Sequence, residues 1–156
     1  MLFRSPFELM AEMAKRGVLV EICLTSNEVI LNVEKEEHPF LEYQAAGVPL
    51  TLASDDEGIS RIDLSNEYLL AALRYDLRYP ELKKLVRNSL EHSFLEGDSL
   101  WQSPQFAAVT AVCAKDEPGT QALSPGCASF LAQSDRARVQ WQLERDFAEF
   151  ENLSWF

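Results

Sequence analysis

The chain has 156 residues, 47% of them hydrophobic and 25% charged, with 14 Lys+Arg against 25 Asp+Glu for a net charge of -11. That length supports one domain with a real core. An acidic surface repels phosphate backbones, which argues against nucleic-acid binding, and no apolar run approaches the ~20 residues of a membrane span.

Chain order begins with a helix over Pro6–Arg16. Ser5 is its N-cap, Pro6 occupies the first helical position, Glu8 lies in the first turn, and Lys15 and Arg16 precede the stop at Gly17. No basic region followed by an apolar stretch marks a signal peptide between Met1 and Glu8. An apolar strand, Val18–Leu24, follows at once and ends in the small polar triplet Thr25-Ser-Asn27. Residues 25–37 read as a polar and acidic loop. His38-Pro39 opens a short helix to Ala46, with His38 as its cap, and Gly47 ends it. A second strand, Val48–Ala53, leads into Ser54-Asp-Asp-Glu-Gly58. The pattern is a parallel βαβ crossover.

The remainder is helical. One helix covers Ser65–Tyr75, with Asp63 or Ser65 as cap. A second covers Pro80–Phe94, with Leu82, Leu85, Val86 and Leu90 on one face and His92 on the surface. Ser99–Cys113 gives a weaker helical pattern, and the Pro/Gly-rich stretch to Gly126 reads as loop. A long helix spans Ser134–Glu151, with an apolar stripe of Val139, Leu143, Phe147 and Phe150, and the tail Leu153–Phe156 is placed against the body. Among three cysteines, Cys23 reads as a small core residue. Cys113 and Cys127 could close a loop worth about 3 kcal/mol or remain thiols, since an odd cysteine count does not enforce pairing. Without a CxxC pair, they do not form a metal site.

Both strands are apolar along their length and polar only at their C-terminal ends. That is the pattern of buried parallel strands carrying a site at that end. At the end of the second strand stand Asp55 and Asp56. Alternation along a strand would send them to opposite sides, one toward a metal and one toward a ligand. Two strands alone do not make a stable sheet, and a (β/α)8 barrel needs about 250 residues. The chain therefore reads as an α/β fold that is the C-terminal part of such a barrel. Residues 1–101 would be the barrel segment and residues 102–156 a helical extension packed on it.

Several blocks together resemble the adenosine deaminase family: Val20-Glu-Ile-Cys-Leu-Thr-Ser-Asn27, His38-Pro39, Ala46-Gly-Val-Pro-Leu-Thr-Leu52, Ser54-Asp-Asp56, Leu64, Glu67-Tyr68, Leu82-Lys-Lys-Leu85, and Arg87-Asn-Ser-Leu90 through Ser93-Phe-Leu95. The likeness covers roughly residues 8–101 and points to the bacterial and growth-factor-like branch. It implies a (β/α)8 barrel of which these are strands seven and eight. It also implies one catalytic Zn2+ and hydrolytic deamination of adenosine or 2'-deoxyadenosine to inosine and ammonia. By that resemblance Asp55 ligates the zinc and orients the attacking hydroxide, Asp56 hydrogen-bonds the purine ring, and Thr25, Ser26 and Asn27 give structural support.

The departures are specific. Ala53-Ser-Asp-Asp-Glu57 stands where the family has Asn-Thr-Asp-Asp-Pro. The zinc histidines and the catalytic glutamate of the family have no counterpart, and neither His38 nor His92 falls on a metal position. The isolated chain is therefore expected to be inactive and to hold zinc only weakly. Its partners would be a purine nucleoside and a missing N-terminal barrel portion. The rival reading is a catalytically dead remnant or an interaction module that binds a partner chain. The location is open between cytoplasmic and, with an upstream signal peptide, periplasmic or secreted.

Overall fold

A computed structural model describes residues 5–153. It is a helix-rich mixed α/β chain whose described residues fall into two compact units, 5–89 and 90–153.

In the first unit, α1 (Pro6–Arg16) starts at Ser5, whose hydroxyl oxygen accepts the Glu8 N–H at 3.2 Å. It ends at Gly17, whose φ of 63° is the left-handed conformation that closes a helix without a side-chain penalty. The next N–H, of Val18, donates back to the Met13 carbonyl. Val18 is thus spent on the helix end, and strand β1 is shorter than expected, Val20–Ile22. Its partner β2 covers Leu50–Leu52 for a similar reason: the Val48 N–H closes the preceding helix on the Tyr43 carbonyl. The two strands pair in parallel, Val20 with Leu50, Glu21 with Thr51 and Ile22 with Leu52. All three residues of β2 are buried.

The segment expected as a loop after β1 is helical instead. Helix α2 runs Leu24–Leu31, ends at Asn32 in the left-handed region, and precedes a 3-10 turn at Lys35–Glu37. Its first turn is held by a partner 42 residues away, which no local window of sequence displays. Helix α3 (Phe40–Ala45) follows, then β2, the short α4 (Glu57–Ser60), α5 (Leu64–Tyr75) and α6 (Tyr79–Glu91). Asp63 caps α5, accepting the Asn66 N–H at 2.9 Å. The core gathers Met10, Ile22, Leu24, Phe40, Val48, Leu50, Leu52, Ala71 and Leu85. Phe40, fully buried, stacks on Tyr75 with centroids 4.5 Å apart. Asn88 ties α6 to the sheet by donating to the Leu50 carbonyl at 2.8 Å.

In the second unit the helix expected over 99–113 is not formed. Trp101 and Val109 make an antiparallel bridge, Phe106 takes a left-handed φ of 57°, and only Ala111–Cys113 forms a 3-10 turn. Pro104 lacks the N–H a helix interior needs, and the backbone bonds go across the loop, Gln102 N–H to Ala108 and Thr110 N–H to Leu100. Helix α7 (Pro125–Gln133) begins inside the stretch expected to be loop, capped by Ser124 with Pro125 at its first position. Helix α8 (Asp135–Glu151) is capped by Ser134, which accepts the Ala137 N–H at 3.1 Å. Its buried stripe is not the expected one: Ala137, Gln140, Trp141 and Glu144 face inward, while Phe150 is exposed. Gln140 is satisfied there, accepting the Leu100 N–H and donating to Glu91, each at 2.8 Å. His92, expected on the surface, is half-buried, and its Nε2 has no hydrogen-bond partner. Cys113 and Cys127 are joined as a disulfide within this unit's core. Of the tail expected on the body, Leu153 is exposed and residues 154–156 lie outside the described residues.

Candidate active site

The C-terminal ends of β1 and β2 bring Ser26 and Asp55 together. The Ser26 hydroxyl donates to Asp55 Oδ2 at 2.8 Å, linking the first turn of α2 to the loop after β2. Asp55 and Asp56 do not sit on the strand, which ends at Leu52, so strand alternation does not set their directions. Asp55 takes a left-handed φ of 54°, a conformation Asp tolerates better than most residues. Asp56 is the N-cap of α4 and makes no side-chain cap bond; its carbonyl accepts the Ile59 and Ser60 N–H groups at 3.1 and 2.9 Å. Both carboxylates are exposed. Glu57 is held by Ser54, whose hydroxyl donates to Glu57 Oε1 at 2.9 Å.

Bonded to Thr25, next in sequence to Ser26, is a carboxylate that sequence reasoning did not place in the site. Glu67 is 0% exposed. It accepts the Thr25 N–H at 3.2 and 3.3 Å through its two oxygens, and the Thr25 hydroxyl as well. Asn66 Nδ2 adds a bond to the same hydroxyl at 3.3 Å. A buried carboxylate is tolerated only where such donors replace water. The result is a chain of contacts, Glu67 to Thr25, then along the backbone to Ser26, then to Asp55. Its sequence signals were weak: Glu67 lies four residues after the cap Asp63, where it reads as an ordinary first-turn acid, and Glu67-Tyr68 is one short block of the family likeness.

Asn27 lies next to a structural histidine. Its side-chain amide is 3.1 Å from His38 Nε2, while His38 Nδ1 accepts the Phe40 N–H at 3.1 Å. His38 is buried, and that burial, helped by the Arg74 charge, lowers its pKa and keeps the ring neutral. Arg74 in turn pairs with Glu28 of α2. Cys23, just before α2, is a half-buried free thiol whose pKa is raised, first by burial and then by Asp55, Glu67 and Glu21. The Tyr68 phenol is pushed up to about 12 by burial.

A catalytic zinc needs about three protein ligands. Among the described residues no group of three His, Cys, Asp or Glu could hold a metal ion. These residues therefore do not by themselves fit a catalytic metal site.

A parallel strand pair with polar groups gathered beyond its C-terminal ends is the place where α/β folds carry their sites. The chain belongs to the adenosine deaminase family, whose profile matches residues 6–101. It is similar to an aminodeoxyfutalosine deaminase of Streptomyces coelicolor, 41% identical over 90 residues that make up 57% of this chain and 23% of that protein. It is also similar to an adenosine deaminase of Pectobacterium atrosepticum, 35% identical over 88 residues, 56% of this chain and 26% of that one. Among solved structures, the apo N6-methyl-AMP deaminase from Arabidopsis thaliana matches with TM-score 0.53 and 32% identity over 67% of this chain and 31% of its own. A complex of ADAL with IMP matches with TM-score 0.53 and 34% identity over 60% of this chain and 28% of its own. The chain spans about a quarter of the length of the curated relatives it matches.

Proposed function

We propose that this chain supplies the C-terminal part of a hydrolytic deaminase that takes the amino group from an adenine-bearing nucleoside and leaves ammonia and the corresponding oxo-purine. In this reading β1 and β2 are strands seven and eight of a (β/α)8 barrel. Residues 1–101 are the barrel segment and residues 102–156 its extension. The observation that carries it is the Ser26–Asp55 bond at 2.8 Å across the ends of two adjacent parallel strands, in a chain of the adenosine deaminase family. Two further features support an origin in a larger barrel. A two-stranded sheet is too small to stand alone, and Val29, Ile30, Leu31, Ile59 and Leu73 are 63% to 81% exposed.

Members of the family are generally metalloenzymes. Asp55 is the residue we assign to Zn2+, with Ser26 fixing which carboxylate oxygen remains available. Asp56 is assigned to the purine ring, where a carboxylate accepts a hydrogen bond from a ring nitrogen. The remaining ligands would belong to the portion of the deaminase that this chain does not contain. Adenosine and 2'-deoxyadenosine are the substrates of the main reading. Aminodeoxyfutalosine is a second, favoured by the 41% identity to deaminases of that name against 35% to an adenosine deaminase.

The test is to express the reading frame extended upstream of Met1 and assay ammonia release with each nucleoside. The proposal expects turnover that Asp55→Ala abolishes together with the metal, and that Asp56→Ala abolishes with the metal retained. Full activity in the Asp55→Ala protein would refute the assignment.

A further inference from the structure

The second unit carries a device independent of the deaminase site. Cys113 ends its 3-10 turn and Cys127 lies in the first turn of α7, and both are 0% exposed. They pack in one cluster with Trp101, Leu131, Ala137 and Trp141. The disulfide between them spans a sequence separation of 14, and the loop it closes is strapped onto α8. Trp141 Nε1 donates to the Thr120 carbonyl and Arg145 Nε to the Gly119 carbonyl, each at 3.0 Å. Gly119, at φ +86°, lies so close to α8 that a Cβ there would stand 2.5 Å from the Arg145 nitrogen. Within the loop, Asp116 accepts the Ser124 N–H at 3.0 Å and its hydroxyl at 2.6 Å. This strap belongs to a small unit, described over residues 90–153, whose buried positions include the polar Ser134, Gln140 and Glu144. A unit of that size draws limited stability from its core alone.

We propose that Cys113–Cys127 is a redox lock on the C-terminal unit. Once closed, the fold shields it from reductant; once opened, the strap and the packing around Trp101 and Trp141 loosen while residues 5–89 keep their fold. Closure is thiol–disulfide exchange. One thiolate attacks a low-molecular-weight disulfide and expels one thiolate, and the second cysteine then attacks the mixed disulfide and expels another. The two cysteines lose two electrons and two protons, and the incoming disulfide becomes two thiols. Opening by a dithiol reverses this. Because both sulfurs are buried, reductant reaches them only when the unit opens.

The test uses the full chain in a Trp155→Phe background. Residues 1–89 contain no tryptophan, so emission then reports Trp101 and Trp141 of this unit alone. After refolding with glutathione disulfide and denaturation, one free thiol, that of Cys23, is expected, and all three after reduction. Dithiothreitol should reduce the folded chain far more slowly than the urea-unfolded chain. The reduced chain should unfold at lower urea by tryptophan emission, with an equilibrium shifted on the order of 100-fold, as expected for a loop of about 15 residues. Amide hydrogen exchange in β1 and β2 of the first unit should not change. The Cys113→Ser/Cys127→Ser protein should match the reduced chain; if it does not fold, the wild-type reduction experiment still decides. Three thiols after oxidative refolding, equal reduction rates in the folded and unfolded chains, or an unchanged emission midpoint after reduction would each overturn the proposal.

Discussion

Replacing Glu67 tests whether a buried carboxylate sets the geometry of the strand-end site. Glu67→Ala removes the acceptor for two donors, the Thr25 N–H and the Thr25 hydroxyl. Hydrogen bonds to a charged group contribute about 1.5–3 kcal/mol each. Thr25 is only half-buried, so water recovers part of the loss and the lower figure applies to each. Relief of the carboxylate's own desolvation offsets a further part. The net destabilisation is then about 2–3 kcal/mol for Glu67→Ala. For Glu67→Gln, which keeps the shape and one acceptor oxygen but loses the charge, it is about 1 kcal/mol. Urea unfolding followed by far-UV circular dichroism measures the global term. Amide hydrogen exchange at Thr25, Ser26 and Asn27 measures the local one, and protection there should fall before that of β2. A Glu67→Ala chain as stable as wild type to within about 0.5 kcal/mol, with unchanged exchange at Thr25, would refute the reasoning.

Three other outcomes follow from the same site. His38 has a folded pKa below its ordinary value, so its contribution is fully present above about pH 6.5 and is lost as pH falls toward the folded pKa, where the unfolded chain takes up the proton first. The first unit should therefore lose stability as pH falls below about 6.5, and His38→Gln should flatten that dependence in urea titrations. Cys23 should react with iodoacetamide more slowly at pH 8.5 than an unperturbed thiol, since burial and the Asp55 and Glu67 charges hold it protonated. Asp55→Asn should speed that reaction; an unchanged rate would mean that Asp55 does not face the thiol. The purified 156-residue chain should contain no stoichiometric zinc and release no ammonia from adenosine, since among the described residues no group of three His, Cys, Asp or Glu could hold a metal ion. Atomic emission with a coupled ammonia assay checks both, and bound zinc with turnover would contradict the account.

What the sequence displayed was mostly local. Ser5, Pro6 and Gly17 mark both ends of α1, because capping is short-range chemistry. The parallel strands were legible in position but too long at both ends. Val18 and Val48 read as strand residues, yet their N–H groups close helices. Helix α2 was hidden because Thr25-Ser-Asn27 looks like a turn until Glu67 reaches it from α5. The stripe on α8 was misjudged by hydrophobicity alone: Gln140 and Glu144 go inward, Gln140 to partners that wait for it, and Phe150 does not. At the site, the Asp55-Asp56 pair stood out by composition. The strand alternation invoked for it does not operate, since both residues lie in the loop beyond Leu52. The contact that orders Asp55 comes instead from Ser26, a residue the sequence offered only as structural support.

The most direct measurement is the sequence of the reading frame upstream of the Met1 codon in the source DNA. An in-frame His-x-His segment, followed by the further histidines and the glutamate of the family before Met1, is the result predicted if Asp55 serves as a zinc ligand of a deaminase. In-frame stop codons or unrelated sequence directly upstream would contradict that claim and leave Asp55 and Asp56 without a metal to serve.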